Sequence, residues 1–176
     1  GETDLAFEQI SAIFTGVADL KKVFEQARSR RLQGRGTLLF VDEIHRFNRS
    51  QQDAFLPVVE DGTVTLVGAT TENPSFELNA ALLSRARVLT FRALDDEALE
   101  KLIARAEALE GKPLPLDADA RLALVRMADG DGRAVLTLAE EVWRAAGEGE
   151  VFDTAGLSEI VQRRAPIYDK AQEGHY

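Results

Sequence analysis

Hydrophobic residues in the first half of the chain follow two different periods, which alternate along the sequence. Apolar residues from Leu20 to Ala27 recur at helical spacing and predict a helix near residues 17–31. Short apolar runs follow, of the kind typical of strands buried in a parallel sheet. These runs cover residues 37–41, 63–69 and 87–91. Since helices are predicted between them, near residues 50–60 and 79–83, the first half is predicted to be an α/β fold with a parallel sheet.

The helix predicted near residues 50–60 carries two local signals of its own. Ser50 followed by Asp53 resembles a capping box, so the helix is expected to begin there. Pro57 lies inside the same segment, and proline removes a helical hydrogen bond and clashes with the preceding turn. We therefore expect a kink at Pro57, before the turn signal Asp61-Gly62.

After Arg92 the strand pattern disappears and only helical spacing remains. The acids of Asp95 to Glu97 favour a helix start, because the helix dipole stabilises negative charge there. Three further helices are predicted to start near Asp117, before Val135, and at Asp153 or Thr154.

The change of pattern predicts a domain boundary near Ala93. A parallel sheet with flanking helices is then followed by a small all-α domain. The predicted segments are residues 1–92, residues 93–165 and a tail over residues 166–176, which is expected to be frayed or cut short.

Composition narrows the classes of function. The chain has no cysteine, which excludes a disulfide framework and a thiolate metal site. Its formal net charge is −9, so its surface is a poor match for nucleic-acid phosphates, which are bound by Lys and Arg. No apolar run approaches the roughly 20 residues that a membrane helix needs. We expect no membrane partner, and we expect any DNA binding to depend on local patches, an oligomer or other segments.

A pair of acids, Asp42-Glu43, is the sharpest chemical feature and directly follows the apolar run 37–41. Ligands of open α/β sheets bind beyond the carboxyl ends of the strands, so these acids are predicted to face a ligand. One carboxylate there can hold Mg²⁺ through water, and its neighbour can act as a general base on an attacking water. An acidic pair that merely opens a loop is the alternative.

Further polar groups follow the next predicted strand. Thr70, Thr71 and Asn73 can hydrogen-bond a water or a terminal phosphate, although Asn-Pro also favours a plain turn. Arg85 ends the helix predicted near residues 79–83. An arginine so placed can reach a neighbouring subunit's nucleotide and stabilise charge that develops in phosphoryl transfer. Taken alone, a solvated surface charge is the simpler interpretation of Arg85.

Three long motifs carry a resemblance to a known family. They read LLFVDEIHRFN from Leu38, SQQDAFLPVVEDG from Ser50 and GATTENPSFELNAALLSRARV from Gly68. With them the chain resembles the RarA/MgsA family of AAA+ ATPases and its eukaryotic relative, the Werner-helicase-interacting ATPase, over about residues 10–165. The resemblance implies a partial AAA+ P-loop NTPase core followed by a helical lid, with ATP and Mg²⁺ as cofactors.

The resemblance also implies a role for each candidate residue of the core. Asp42 matches the Walker B aspartate, which coordinates Mg²⁺ through water, and Glu43 matches the glutamate that activates the attacking water. Sensor 1, which positions the water or the γ-phosphate, corresponds to Asn73 or to one of Thr70 and Thr71.

Two arginines complete the implied site. Arg85 matches the finger that is donated to the adjacent subunit, and Ala86 stands where clamp loaders have cysteine. Arg133 matches sensor 2, at the start of a lid helix, and is implied to reach the phosphates. The second arginine that commonly follows it is replaced by Ala134, which puts a paired role in doubt.

The phosphate-binding loop is the main departure from the family pattern. The motif G-x-x-x-x-G-K-[ST] is absent, and the Gly-Lys pair at Gly111-Lys112 is followed by proline. We therefore expect a fragment that binds ATP weakly or not at all, with the loop supplied upstream in the parent protein.

Two aromatic side chains are interpreted as structural. His45, in the loop after the acids, is expected to support that loop, and titration or DNA contact is the less favoured alternative. Trp143 lies at helical spacing with Val135 and Val142, which predicts packing in the lid.

The implied function is ATP-dependent maintenance of DNA replication and recombination repair, at stalled forks or gaps. The expected partners are forked or single-stranded DNA, replication and repair proteins such as single-strand-binding protein, and further copies of the chain in an oligomer. The expected location is the cytoplasm, at the nucleoid. Two alternatives stay open: a clamp-loader or Holliday-junction motor-like subunit, and a non-catalytic interaction module on an AAA+ scaffold.

Overall fold

The computed structural model describes the backbone of residues 3–172 and the side chains of residues 3–163. The chain forms two compact units, Gly1–Leu89 and Thr90–Tyr176. The first unit contains a three-stranded sheet with flanking helices, and the second is built from four helices within the described part. The fold class predicted from the sequence is confirmed.

The sheet of the first unit is parallel, with strand order β1-β2-β3. The strands are β1 (Ala6–Ser11), β2 (Thr37–Asp42) and β3 (Val64–Gly68). The hydrophobic pattern does not predict β1, because its sequence AFEQIS mixes polar and apolar residues. Central strand β2 buries Thr37, Leu39 and Val41, whereas Leu38 and Phe40 on its other face are half-buried. Only one face of β2 is therefore fully covered, although its apolar run predicts cover on both.

Helices connect the strands and cover that buried face. They are α1 (Val17–Leu32), α2 (Arg49–Asp53), α3 (Phe55–Glu60), α4 (Pro74–Glu77) and α5 (Ala80–Leu83), with a single 3-10 turn at Ile44–Arg46. Helix α1 buries Leu20, Phe24 and Ala27, as its spacing predicts. The Phe24 ring meets the buried Phe55 ring edge-on, at 5.2 Å between centroids. This aromatic contact fixes α1 against α3 under the sheet.

Helix α2 begins at a different cap from the predicted one. Asn48 is the N-cap: its side chain accepts the Gln51 amide at 2.8 Å, and the Gln51 side chain accepts the Asn48 amide at 3.0 Å. The capping box predicted at Ser50 is therefore wrong, because the backbone turns from extended to helical at Asn48. The predicted kink is confirmed as the break at Ala54, three residues before Pro57.

The third strand predicted over residues 87–91 is also wrong. These residues form a loop, and they pair with no strand within residues 3–172. Leu89 and Phe91 are 71% and 93% exposed. A strand needs a hydrogen-bonded neighbour, and an apolar run by itself does not report whether one is present.

The second unit is helical and starts after an irregular stretch. Its helices are α6 (Asp96–Glu110), α7 (Ala118–Ala128), α8 (Gly132–Ala145) and α9 (Thr154–Gln172). The helix starts predicted at the Asp95–Glu97 acids and at Asp117 are confirmed: Asp95 and Asp117 are the N-caps, and each accepts an amide three residues ahead at 2.8 Å. Helix α9 continues past Ala165, where the sequence predicts a frayed tail, and residues 173–176 lie outside the described part.

Inward-facing apolar residues from all four helices form the core of the second unit. The fully buried ones include Leu99, Ile103, Leu124, Val135, Val142 and Leu157. Trp143 packs at the edge of this core and donates its indole N–H to the Pro113 carbonyl at 3.1 Å, which confirms its structural role. In the described part of the chain, every helix is too short or too polar to cross a bilayer.

Candidate functional site

The carboxyl ends of the three strands meet at one edge of the sheet. Ser11 pairs with Asp42, and Val41 pairs with Gly68. Just beyond, Ile44 donates its amide to the Ala69 carbonyl at 3.0 Å, so the loop after β2 is fixed to the loop after β3. Gly68 permits this approach, because a Cβ there would lie 2.9 Å from the Ile44 side chain. The predicted acids and hydroxyls therefore lie at the edge where open α/β sheets bind ligands.

Asp42 is the last residue of β2, and its side chain is exposed at this edge. Its Oδ1 accepts the Glu43 amide at 3.1 Å, which is its only hydrogen bond within residues 3–163. The carboxylate therefore keeps acceptor capacity toward solvent. Exposed carboxylate oxygens are the ligands that Mg²⁺ takes, directly or through its own waters. The residue present thus fits the implied metal.

Glu43 turns the chain sharply out of the strand. Its backbone is left-handed, with φ 54° and ψ 41°, a conformation that few residues with a side chain adopt. The carboxylate is 24% exposed, and its Oε2 lies 3.5 Å from Nε2 of His45. The predicted general base is thus solvent-accessible on one side and contacts an imidazole on the other.

His45 joins the two loops of the site. Its side chain is only 8% exposed, and its Nδ1 lies 2.7 Å from the Thr70 hydroxyl oxygen. The expected role in supporting the loop after β2 is confirmed, and the support comes from the loop after β3. The structure thereby brings Glu43 and Thr70 together around one ring.

The three candidates for sensor 1 differ in how far their polar atoms are already used. The Thr70 hydroxyl bonds His45 and also accepts the Glu72 amide at 3.0 Å. Asn73 is the N-cap of α4, and its Oδ1 accepts the Ser75 amide at 3.0 Å, which leaves its NH₂ group free to donate. The exposed Thr71 hydroxyl has no side-chain partner within residues 3–163.

A buried glutamine that the sequence analysis missed holds the outer part of both loops. Gln52 is 2% exposed, and its Nε2 donates to the Phe47 carbonyl at 2.9 Å and to the Glu77 carbonyl at 3.0 Å. Its Oε1 accepts the Asn79 amide at 2.8 Å. All of its strong hydrogen-bonding groups are satisfied, so the segments after β2 and β3 form one connected unit. Its place inside a short helix gives no sequence signal for these contacts.

Arg85 follows α5 in the same unit. Its Nε forms an ion pair with Glu60 at 2.5 Å, and its Nη1 donates to the Ala81 carbonyl at 2.8 Å. The side chain is 42% exposed. These contacts, with a third to the Ser84 hydroxyl at 3.2 Å, orient the guanidinium while part of it still faces solvent.

Arg133 lies in the second unit, at the second position of α8. Asp131 caps that helix by accepting the Arg133 and Ala134 amides at 2.8 and 3.0 Å. Gly130 precedes it in the left-handed region, with φ 79°, and a Cβ there would lie 2.7 Å from Ala93. The Gly-Asp-Gly sequence thus has a packing and capping role that fixes where the helix carrying Arg133 begins.

Comparison with protein families assigns each part of the chain. Residues 5–94 match the model of the ATPase family associated with various cellular activities (AAA), and residues 110–176 match the AAA C-terminal domain. The first match covers half of the chain.

Known proteins refine the comparison. The chain is 43% identical to replication-associated recombination protein A of Escherichia coli K12, over 96% of the chain and 40% of that protein. It is 39% identical to ATPase WRNIP1 of Dictyostelium discoideum, over 95% of the chain and 22% of that protein. The resemblance to the RarA/MgsA family is confirmed, and the chain spans well under half the length of these relatives.

Solved structures support the fold. The Holliday junction branch migration motor RuvB of Thermotoga maritima superposes with a TM-score of 0.70 at 23% identity, over 89% of this chain and 52% of that one. At that identity the likeness concerns the fold alone.

Proposed function

Since the chain belongs to the AAA family of ATPases, we propose that it carries the water-activating part of an ATP-hydrolysing site. The observation that carries this proposal is the group at the carboxyl edge of the sheet, where His45 contacts the Glu43 carboxylate and the Thr70 hydroxyl, and the Asp42 carboxylate accepts the Glu43 amide. Ligands of open α/β sheets bind at such an edge.

In this proposal each residue of the group has one task. Asp42 would hold Mg²⁺ through water, and Mg²⁺, when bound, would supply charge that neutralises the nucleotide phosphates. Glu43 accepts a proton from the attacking water as its oxygen bonds to the γ-phosphorus, and the bond to the leaving ADP oxygen breaks. Asn73, Thr71 or Thr70 orients that water or the γ-phosphate. The exposed Thr71 hydroxyl and the free Asn73 NH₂ group support this assignment.

Hydrolysis requires parts that these residues do not supply. The chain has no G-x-x-x-x-G-K-[ST] loop, so we assign the backbone amides and lysine that bind phosphates to an upstream segment of the parent protein. Residues 1–92 then form part of the ATPase core, and residues 93–165 form its lid. By itself the chain is expected to bind ATP weakly or not at all.

Two arginines act on the phosphates in this proposal. Arg85 is donated in trans to a nucleotide on the next subunit of a homo-oligomer, where it stabilises transition-state charge. Its partial exposure beside Glu60 supports that role. Arg133 reaches the phosphates from the lid, and its place at a capped helix start supports it.

The proposed biological role is maintenance of DNA replication and recombination repair. The relative in E. coli is named a replication-associated recombination protein. We infer that the parent protein acts at stalled forks or gaps, on forked or single-stranded DNA, with replication proteins such as single-strand-binding protein. The inferred location is the cytoplasm, at the nucleoid. Since the chain has a net charge of −9, we infer that local patches, an oligomer or other segments of the parent protein supply the DNA-binding surface.

The first experiment measures ATP hydrolysis by the complete protein and its Glu43→Gln variant, with and without forked DNA. We expect the variant to bind ATP but to lose at least about 10²-fold in kcat, because an amide takes up no proton. Glu25→Gln, which changes an exposed glutamate on α1, is the matched control. Unchanged turnover by Glu43→Gln would remove the role assigned to Glu43.

The same assay separates the alternatives. No turnover by the complete protein under any condition would favour a non-catalytic interaction module. Loading of a sliding clamp, or movement of a Holliday junction, would favour a clamp-loader or branch-migration subunit.

A further inference from the structure

One imidazole contacts both the proposed base and the loop after the neighbouring strand. Nδ1 of His45 lies 2.7 Å from the Thr70 hydroxyl, and its Nε2 lies 3.5 Å from Oε2 of Glu43. The ring is nearly buried, so solvent competes weakly for either contact. The contact with Glu43 is within ion-pair distance but is not a hydrogen bond in this structure, and catalytic contacts are often long before substrate binds and tighten afterwards.

The partners of the ring favour one tautomer of His45. A carboxylate only accepts, so the ring nitrogen that faces Glu43 carries the hydrogen. Nδ1 is then an acceptor, and the Thr70 hydroxyl donates to it. The same hydroxyl accepts the Glu72 amide at 3.0 Å. From the Glu72 amide to the ring each donor therefore meets an acceptor, and in this tautomer Nε2 carries its hydrogen 3.5 Å from the Glu43 carboxylate.

Glu43 needs such a partner because regular structure does not hold its side chain. It lies beyond the end of β2, in a left-handed conformation that starts a short turn. A base works only when its lone pair meets the attacking water, and a small misplacement slows the reaction greatly.

We propose that His45 is a positioning residue, which fixes the Glu43 carboxylate by directing Nε2–H to Oε2 and is itself held by the Thr70 hydroxyl. The proposal rests on the role proposed above for Glu43. It commits the Thr70 hydroxyl to His45, which leaves Thr71 and Asn73 to contact the water or the phosphate. Movement of the loop after β3 would then move the Glu43 carboxylate relative to the attacking water.

Two substitutions at His45 test its two contacts separately. A glutamine amide nitrogen reaches the place of Nε2, and an asparagine amide nitrogen reaches the place of Nδ1. In the complete protein we expect His45→Asn to lower kcat about tenfold or more, with the Kd for ATP changed less than about threefold. His45→Gln keeps a donor to Glu43 and is expected to stay within about threefold of the wild-type kcat.

Thr70→Val tests the other end of the group. It is expected to lower kcat about tenfold in the wild-type background but to have little effect once His45 is glutamine, because the hydroxyl then has no ring to hold. Thr65→Val, at an exposed position on β3, is the matched control. Equal effects of Thr70→Val in both backgrounds would overturn the coupling.

A spectroscopic measurement is independent of turnover. In ¹⁵N-histidine-labelled complete protein, the ring signals of His45 are those that are lost in His45→Gln. In its neutral form, which has one ring hydrogen, His45 is expected to be the Nε2–H tautomer, and Thr70→Val should shift its Nδ1 signal. An Nδ1–H form would overturn the proposal.

The outcomes separate this proposal from the previous one. If Glu43→Gln abolishes hydrolysis while His45→Asn retains the wild-type kcat, the site stands and His45 has no positioning role. The same holds if His45→Asn lowers the free energy of unfolding but leaves kcat per folded molecule unchanged. If Glu43→Gln hydrolyses ATP normally, the proposed function itself fails.

Discussion

At the scale of single residues, one buried amide holds the backbone that shapes the site. Gln52 satisfies two carbonyls and one amide that belong to the loops after β2 and β3. Removal of a buried partner leaves those backbone groups desolvated without compensation, which costs more than the bonds themselves contribute.

We expect Gln52→Ala to lower the free energy of unfolding by about 2–3 kcal/mol, because it leaves buried backbone groups unpaired. The matched control is Gln26→Ala at an exposed position on α1. This variant is expected to change the free energy of unfolding by less than about 0.5 kcal/mol. Denaturant unfolding of both variants provides the test. Equal stability of the two would show that water replaces the Gln52 bonds without cost.

Asp42 and Glu43 can be predicted from sequence, because their position relative to a strand already places them at a ligand-binding edge. The contacts of His45 and Gln52 cannot be predicted in this way. Their partners Thr70 and Glu77 lie 25 residues further along the chain. These segments come together only because β2 pairs with β3, and the local spacing of residues does not predict that pairing.

At the scale of elements, an arginine joins the first two helices of the second unit. Arg121 on α7 bonds Glu100 and Glu107 on α6, at 2.9 and 2.8 Å. Glu107 also accepts the Leu114 amide at 2.8 Å, which fixes the loop between the helices. The bond from Arg121, followed by that from Leu114, lowers the pKa of Glu107 against the opposing effect of burial.

This lowered pKa predicts how the stability of the second unit depends on pH. The folded-state pKa of Glu107 is below its unfolded value of about 4.5, so its stabilisation is present above that pH and is lost as the pH falls through the folded-state pKa. We expect Glu107→Gln to have a lower free energy of unfolding than wild type at neutral pH. The difference in free energy of unfolding between the two should become smaller in acid.

Trp143 lies in the second unit, so the fluorescence change that is lost in a Trp143→Phe variant reports unfolding there. The exposed Glu110, at the end of α6, provides the control variant Glu110→Gln, which is expected to behave as wild type at every pH. If Glu107→Gln lowers the free energy of unfolding by the same amount in acid and at neutral pH, the stabilisation does not come from the Glu107 carboxylate.

Helices are predicted better than strands in this chain, for a physical reason. A helix satisfies its own backbone, so the caps at Asp95 and Asp117 and the apolar faces identify it locally. A strand depends on a neighbour elsewhere in the chain. Residues 87–91 have the composition of a strand but no partner strand in the described part of the chain. Strand β1, which mixes polar and apolar residues, forms because β2 lies beside it.

At the scale of the whole molecule, the proposed site is divided between copies. In the proposed function, Glu43 acts on the nucleotide of its own subunit, and Arg85 acts on that of a neighbour. We therefore expect complete proteins with Glu43→Gln or Arg85→Ala to be inactive separately and to recover activity when mixed. In an equal mixture about one interface in four combines an intact Glu43 with an intact Arg85, so about a quarter of the wild-type rate is expected.

The control for this experiment is each variant mixed with itself, under the same conditions of subunit exchange. If Arg85 acted in cis, no mixed interface would be complete and the mixture would stay inactive. Recovery of activity therefore distinguishes a shared site from a self-contained one.

The left-handed backbone of Glu43 has a consequence for selection. A residue with a side chain pays about 1–2 kcal/mol to adopt this conformation, which glycine adopts freely. A library of variants selected only for heat resistance should therefore become enriched in glycine at position 43. The same library selected for turnover should return to glutamate. The two selections would therefore favour different residues at position 43, and this difference would identify the position without an assay of mechanism.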